Sequence, residues 1–509
     1  MLFPTVEYAV FFLVVLAVAW ALESRPQAHK LFLLGASYLF YGFWSWRYVP
    51  LLFFLSLFAA LIAQRIQHSE DEPQRKRLLI LGVTVCLAVL VYYKYASFVL
   101  LTALGLWGLV GRTPVWDLPT PFLPLGISFF VFHAISLMGD IYRRKLREPL
   151  YLTDALLYVA FFPQLIAGPI LRASHFIPQL LKPGYKRIAD AQHIRVNRAF
   201  LLILAGLFKK VILSNTLSTR LVEPVFASPG DFHRGDVLLA IYGYAAQIYC
   251  DFSGYTDIAI GCAMLLGYHF PRNFNAPYTA TDPQDFWQRW HISLSSWLRD
   301  YLYIPLGGSR VGTARLYANL MITMLLGGLW HGASWTFVVW GAMHGLGLAV
   351  HKLWLDGAKK RTWKIPNIVG WAATFIYVCF CWVLFRAQNF ATAMIVMRKM
   401  IGINSVGVNF VYIWLYLIVP CVVVAHVIGW YANHAVERAA GKRRVFARGW
   451  GQRLYAGTNR VAIRPHPQAG TYALLPSDPF VLGFCVTAWF VVFYLFAAVD
   501  SNPFIYFQF

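Results

Sequence analysis

Between Met321 and Val350 only two side chains can ionise, His331 and His344. An ionisable group in so apolar a run is costly to bury and marks a functional site by default. Imidazole suits the work of a general base at neutral pH, because its unperturbed pKa lies near 6.5. Taking the proton from a hydroxyl so that its oxygen attacks a carbonyl is acyl transfer. The competing account of each histidine is a neutral ring hydrogen-bonded to a neighbouring helix. The two are 13 residues apart, which on a straight helix is roughly 20 Å along the axis and about 140° around it. They can meet one reacting carbonyl only if the helix breaks between them.

Most of the other histidines lie in loops or in polar company and read as solvated or hydrogen-bonded. Asp140, Asp251 and Asp257 sit in or beside apolar runs, where carboxylates usually pair with Lys or Arg or cap a helix. Arg289, Arg299 and Arg310 are candidate partners for such acids, or for the phosphates of a carrier. No Gly-x-Ser-x-Gly elbow and no Gly-rich phosphate loop with Lys is present, so the nucleophile is expected to be the acceptor's own hydroxyl. The seven cysteines are an odd count scattered mostly through apolar runs, without the spacing of a disulfide framework or a zinc site. No metal site is expected.

The elements that must position these residues are membrane helices. Of the 509 residues 59% are hydrophobic and 13% charged, against about 25% charged in soluble chains. Apolar runs recur at Ala9 to Leu22, Val49 to Ala63, Leu78 to Val91, Phe200 to Leu213, Trp371 to Phe385, Val411 to Val427 and Phe480 to Ala498. Each approaches or reaches the roughly 20 residues that span a bilayer. The fold class is therefore all-α, a polytopic membrane protein of about ten or more spans. The first run reads as a permanent span, since no small-residue cleavage site follows it.

The net charge of +22 sits in gaps between spans, at Arg75 to Arg77, Arg143 to Arg147, Lys359 to Arg361 and Lys442 to Arg448. That pattern predicts cytoplasmic loops and anionic-lipid contact, with no nucleic-acid partner. Residues 1–509 read as one membrane domain, with 442–478 as a cytoplasmic loop. Asp285 to Tyr303 places Trp290, Leu294, Trp297, Leu298 and Tyr301 at helical spacing, which predicts an amphipathic interfacial helix. Prolines and glycines at Pro121, Pro124, Gly126, Pro163, Gly168, Pro169, Pro305, Gly307 and Gly308 predict short or re-entrant segments around a central cavity.

Several segments resemble the membrane-bound O-acyltransferases, in particular the branch of bacterial alginate O-acetylation membrane subunits. They are FFPQLIAGPILR (Phe161 to Arg172), YCDFSGYTDIAIG (Tyr249 to Gly261), NFNAPY (Asn273 to Tyr278), DFWQRWHISLSSWLRDYLYIPLGGSR (Asp285 to Arg310), LLGGLWHGASWTFVVWGAMHG (Leu325 to Gly345) and SNPFIYFQF (Ser501 to Phe509). The resemblance implies a many-helix fold with a central funnel, and a catalytic His331 in the Trp-His-Gly element. It also implies a second functional histidine, His291. Trp330, Asn273, Arg289, Arg299 and Asp300, in the same segments, are the substrate-binding candidates.

It further implies a multi-pass protein of the bacterial inner membrane. Acetyl groups would pass from a cytoplasmic donor, acetyl-CoA, to a periplasmic acetyltransferase or acceptor protein beside a polysaccharide export machinery. No tightly bound cofactor is expected. Alginate is the first candidate polymer. The alternatives are cellulose or another exopolysaccharide, D-alanylation of a cell-wall polymer, and a non-enzymatic precursor transporter, which would need a cavity but no base.

Overall fold

Ser45 adopts extended backbone, at φ −160° and ψ 110°, and divides an apolar stretch into helices Pro26–Ser45 and Val49–His68. Each has 20 residues, about 30 Å at 1.5 Å per residue, the thickness of the hydrocarbon core. Pro50 falls in the first turn of the second helix, where its missing N–H costs nothing. The computed structural model describes residues 3–108, 122–181, 196–358 and 365–403, with shorter pieces at 406–409, 411–417, 420–421, 423–428 and 431. Among the described residues there is no β-strand, only an isolated bridge between Phe232 and Asn409.

Four helical stretches of these residues are long and apolar enough to cross a membrane, Pro26–His68, Glu72–Gly105, Arg198–Ala227 and Asn367–Arg386. Val6–Ala21 and Ile127–Tyr142 are shorter apolar helices. Val6, Val10, Leu13, Leu31, Leu39 and Ile368 turn outward, the exposure expected of side chains solvated by lipid. The run Phe480 to Ala498 and the loop 442–478 lie outside the described residues.

Ile127–Tyr142 is buried at every position from Ile127 to Ile141, as a helix apolar all round requires. Beside it, residues 161–172 leave regular structure after the short helix Phe162–Leu165. Non-helical backbone at membrane depth survives only where protein covers it and satisfies its polar groups. Phe161 to Leu171 is buried throughout. Ser37 Oγ accepts from Phe162 N at 3.2 Å, Ser293 Oγ accepts from Ile170 N at 3.0 Å, and Tyr158 OH donates to Leu171 O at 2.8 Å. The irregular segment expected around Pro163 and Gly168 is therefore present, held by three different helices. Two of the three acids pair with lysine as expected, the buried Asp251 with Lys210 and the half-buried Asp257 with Lys209 at 2.5 Å, whereas Asp140 accepts chiefly from the hydroxyls of Tyr301 at 2.6 Å and Ser174 at 2.7 Å, with Lys145 3.9 Å away.

Asp285 to Tyr303 departs from its periodicity. Helix Pro283–Arg289 stops at Trp290, His291 is left-handed at φ 41° and ψ 55°, and Ile292–Leu298 restarts before a π-turn at Arg299–Tyr303. The polar Arg289, Ser293 and Asp300 are buried with the apolar Trp290, Leu294 and Trp297. A single amphipathic helix is thus not what forms. The pattern misled because its polar side chains face protein partners, not water: Ser293 bonds Asn273 and Ile170, and Asp300 is held by two guanidiniums.

Candidate active site

The run carrying His331 and His344 is broken. Helix Thr313–His331 ends on the histidine, Gly332 is extended, and Ser334 caps the start of Trp335–Ala358 by accepting from Thr336 N at 3.3 Å. The two helices fold back on each other as a hairpin whose seam is glycine. A Cβ on Gly328 would overlap the Phe337 carbonyl, and one on Gly341 the Met324 carbonyl. Such close backbone approach is what small residues permit in membrane helix packing. The straight-helix separation of the histidines therefore does not apply. Both rings lie against Trp340, with centroids 5.0 Å away for His331 and 4.7 Å for His344.

His291 reaches the same place from another element. Its ring is 6.0 Å from that of Trp330, which in turn is 5.0 Å from His331. The indole of Trp330 thus packs against two imidazoles, each almost wholly withdrawn from the surface, His291 at 0% and His331 at 3% exposure. The unusual backbone of His291 is fixed by Asn273. Its Oδ1 accepts from Ser293 N at 3.0 Å and Ser293 Oγ at 2.9 Å, and its backbone carbonyl accepts from Ile292 N at 2.9 Å. Those donors orient the amide, so the 3.2 Å contact from His291 Nδ1 to the same Oδ1 requires Nδ1 to carry the proton. Nε2 then presents its lone pair, and among the described residues it has no hydrogen-bond partner.

Asn273, His291, Trp330 and His331 are therefore brought together. Arg289 is not part of that group: it bonds Asp285 at 2.8 Å and reaches Thr279 Oγ1 at 3.4 Å, bracing the chain before His291. Arg299 and Asp300 form a second cluster with Arg172, in which Asp300 Oδ1 accepts from Arg299 Nε at 2.7 Å and Asp300 Oδ2 forms an ion pair with Arg172 at 2.5 Å. Stacked rings join the two places, Trp297 on Phe132 at 3.7 Å and Phe132 on Trp330 at 5.5 Å.

Lys94 and Tyr95 were not anticipated. Both bond the last turn of Thr313–His331, Lys94 Nζ to Trp330 O at 2.5 Å and Tyr95 OH to Leu329 O at 2.8 Å. The apolar run ending at Val91 stops just short of them, and a lone lysine beyond it carries the same signal that marked His331 and His344.

The family model described as MBOAT, membrane-bound O-acyltransferase family, matches residues 116–394, more than half the chain and every element of the cluster except Lys94 and Tyr95. The chain belongs to the membrane-bound O-acyltransferase family. It is an integral membrane O-acyltransferase. The chain is 36% identical over 411 residues to the peptidoglycan O-acetyltransferase of Helicobacter pylori, covering 76% of each chain. With the probable alginate O-acetylase AlgI of Pseudomonas putida it shares 40% identity over 372 residues, 73% of this chain and 74% of the other. The teichoic acid D-alanyltransferase of Bacillus subtilis is 29% identical over 280 residues, 52% of this chain and 69% of that protein.

The acyltransferase should feel the loss of Asn273 first as stability. Asn273→Ala strands Ser293 N and the His291 ring in a dry site, so about 1–3 kcal/mol of stability should be lost. Thermal melting in lipid reads this. A melting point equal to the wild type's would mean that Asn273 does not hold this turn.

Proposed function

We propose that the protein moves acetyl groups from a cytoplasmic thioester, acetyl-CoA, through a bacterial inner membrane for O-acetylation of an exported polysaccharide. The observation that carries the reading is the pair of buried imidazoles, His291 and His331, packed against the one indole of Trp330. His331 takes the proton of the acceptor hydroxyl as its oxygen attacks the thioester carbonyl. The tetrahedral intermediate then collapses, the C–S bond breaks, and the proton on His331 passes to the departing thiolate. His291, with Nε2 presented, orients the thioester or the acceptor. Trp330, packed against both histidines, and the surrounding Trp340 and Phe385 exclude the water that would hydrolyse the thioester.

In this reading Asn273 acts through His291, Arg289 through the chain before it, and Arg299 and Asp300 through the second cluster. Alginate is the polymer favoured by the relatives named alginate O-acetylase. The relative named peptidoglycan O-acetyltransferase supports a different polymer, and the D-alanyltransferases a different acyl group. The acceptor that completes transfer would be a periplasmic acetyltransferase or acceptor protein of the export machinery. The basic loops favour an anionic, nucleotide-bearing donor on the cytoplasmic side, an attraction that weakens with salt.

Protein purified into lipid is expected to bind acetyl-CoA or hydrolyse it slowly, more weakly as salt rises. His331→Ala should keep the binding and lose the turnover. If the wild-type protein neither binds the thioester nor passes its acetyl group to a supplied acceptor, while a D-alanyl thioester is used, the donor assignment is wrong.

A further inference from the structure

The last carbonyls of an α-helix have no partner within it, and at membrane depth each one left bare costs several kcal/mol. At the end of Thr313–His331 Gly332 turns away in extended conformation, so the helical ladder does not continue. Donors to these last carbonyls reach them from another span. Helix Glu72–Leu90 widens into a π-turn at Val91–Tyr95 before continuing as Ala96–Gly108, and two consecutive side chains of that turn reach the same helix end. Tyr95 OH donates to Leu329 O at 2.8 Å; Lys94 Nζ donates to Trp330 O at 2.5 Å and lies 3.4 Å from both His331 O and Ser128 Oγ. The ammonium also stands 5.8 Å from the Trp330 ring centroid. Among the described residues its hydrogen-bond partners are two carbonyls and a hydroxyl, none a carboxylate. A cation at a helix C-terminus interacts favourably with the helix dipole, and a charged donor makes a stronger bond than a neutral one.

We propose that Lys94 is a positioning residue for His331: by binding the Trp330 and His331 carbonyls it fixes the helix end and the break at Gly332, and so sets the imidazole against Trp330 and Trp340. The proposal rests on the reading of His331 as the base. It concerns a residue outside the stretch that the family model matches. Three pieces of the chain, the π-turn, the helix end and the hairpin break, then act together, and loss of the ammonium should loosen the break while leaving the rest of the fold as it was.

The test compares Lys94→Met, which keeps length and loses charge, with Lys94→Arg, which keeps charge and donors, and with Tyr95→Phe, all in the full chain in lipid. The first readout needs no donor. Amide hydrogen exchange over residues 329–337 should quicken about ten- to a hundredfold in Lys94→Met, the worth of one charged hydrogen bond, with little change in Arg234–Leu265. Lys94→Arg should stay within about threefold of the wild type on the same scale. The second readout is acetyl transfer, in which kcat should fall about tenfold or more in Lys94→Met with KM nearly unchanged, and recover in Lys94→Arg.

Exchange over 329–337 equal to the wild type in Lys94→Met overturns the proposal, as does an increase spread evenly over all helices. Local loosening with unchanged kcat also overturns it, because His331 would then not need the brace. Local loosening in a protein whose wild type ignores acetyl-CoA supports the brace and refutes the donor, so the two failures are distinguishable.

Discussion

His331→Ala is expected to leave the protein folded in the membrane and to lower kcat for acyl transfer about 10²- to 10⁴-fold, the contribution of a positioned general base. The ring packs 5.0 Å from Trp340 and 5.2 Å from Phe385, so its removal opens a small apolar cavity. The hairpin seam, made by Gly328 and Gly341, is untouched. Melting temperature should therefore change little while turnover collapses. His344→Ala is the matched control, since His344 packs on the same Trp340 at 4.7 Å yet stands on the other arm of the hairpin. A His331→Ala protein with near-normal transfer, or one equalled in its loss by His344→Ala, would remove His331 from the role of base.

The second large effect should be on stability. Asp300→Ala strands two guanidiniums, Arg172 and Arg299, whose bonds at 2.5 Å and 2.7 Å end on one buried carboxylate. Breaking a buried pair by removing one partner costs about 3–5 kcal/mol. Arg172 and Arg299 keep side-chain exposures of 24% and 22%, which places the expected loss near the low end, about 3 kcal/mol. Asp300→Asn retains an acceptor and should lose less. Melting in lipid distinguishes this from direct contact with substrate, which would leave the melting point alone and raise KM.

His331 and His344 were legible as the two ionisable residues of an apolar run, the resemblance alone picked out His331, and the condition that the helix must break for the two to meet was legible with them. That the break occurs was not, since Gly332 and Ser334 are only permissive. His291 was singled out by resemblance; from the residues alone it looked like one polar position on an amphipathic face. Periodicity reports which side chains differ, and it is blind to whether the polar ones meet water or protein. Ser293 and Asp300 meet protein, and the expected surface helix becomes two buried pieces. The pairing of Asp251 and Asp257 was read correctly in kind, though not in partner: Lys209 and Lys210 stood inside a run counted as apolar. Lys94 acts across 236 residues of chain, a contact that no local pattern encodes.

The seam of the hairpin has a consequence for how this gene can change. Gly328 and Gly341 admit no Cβ, because the carbonyls of Phe337 and Met324 already occupy that space. Every amino-acid replacement of a glycine adds at least that atom, so no missense mutation at either codon is mild, alanine included. Nearby residues can drift one nucleotide at a time; these two positions cannot, unless the opposite arm of the hairpin moves in the same generation.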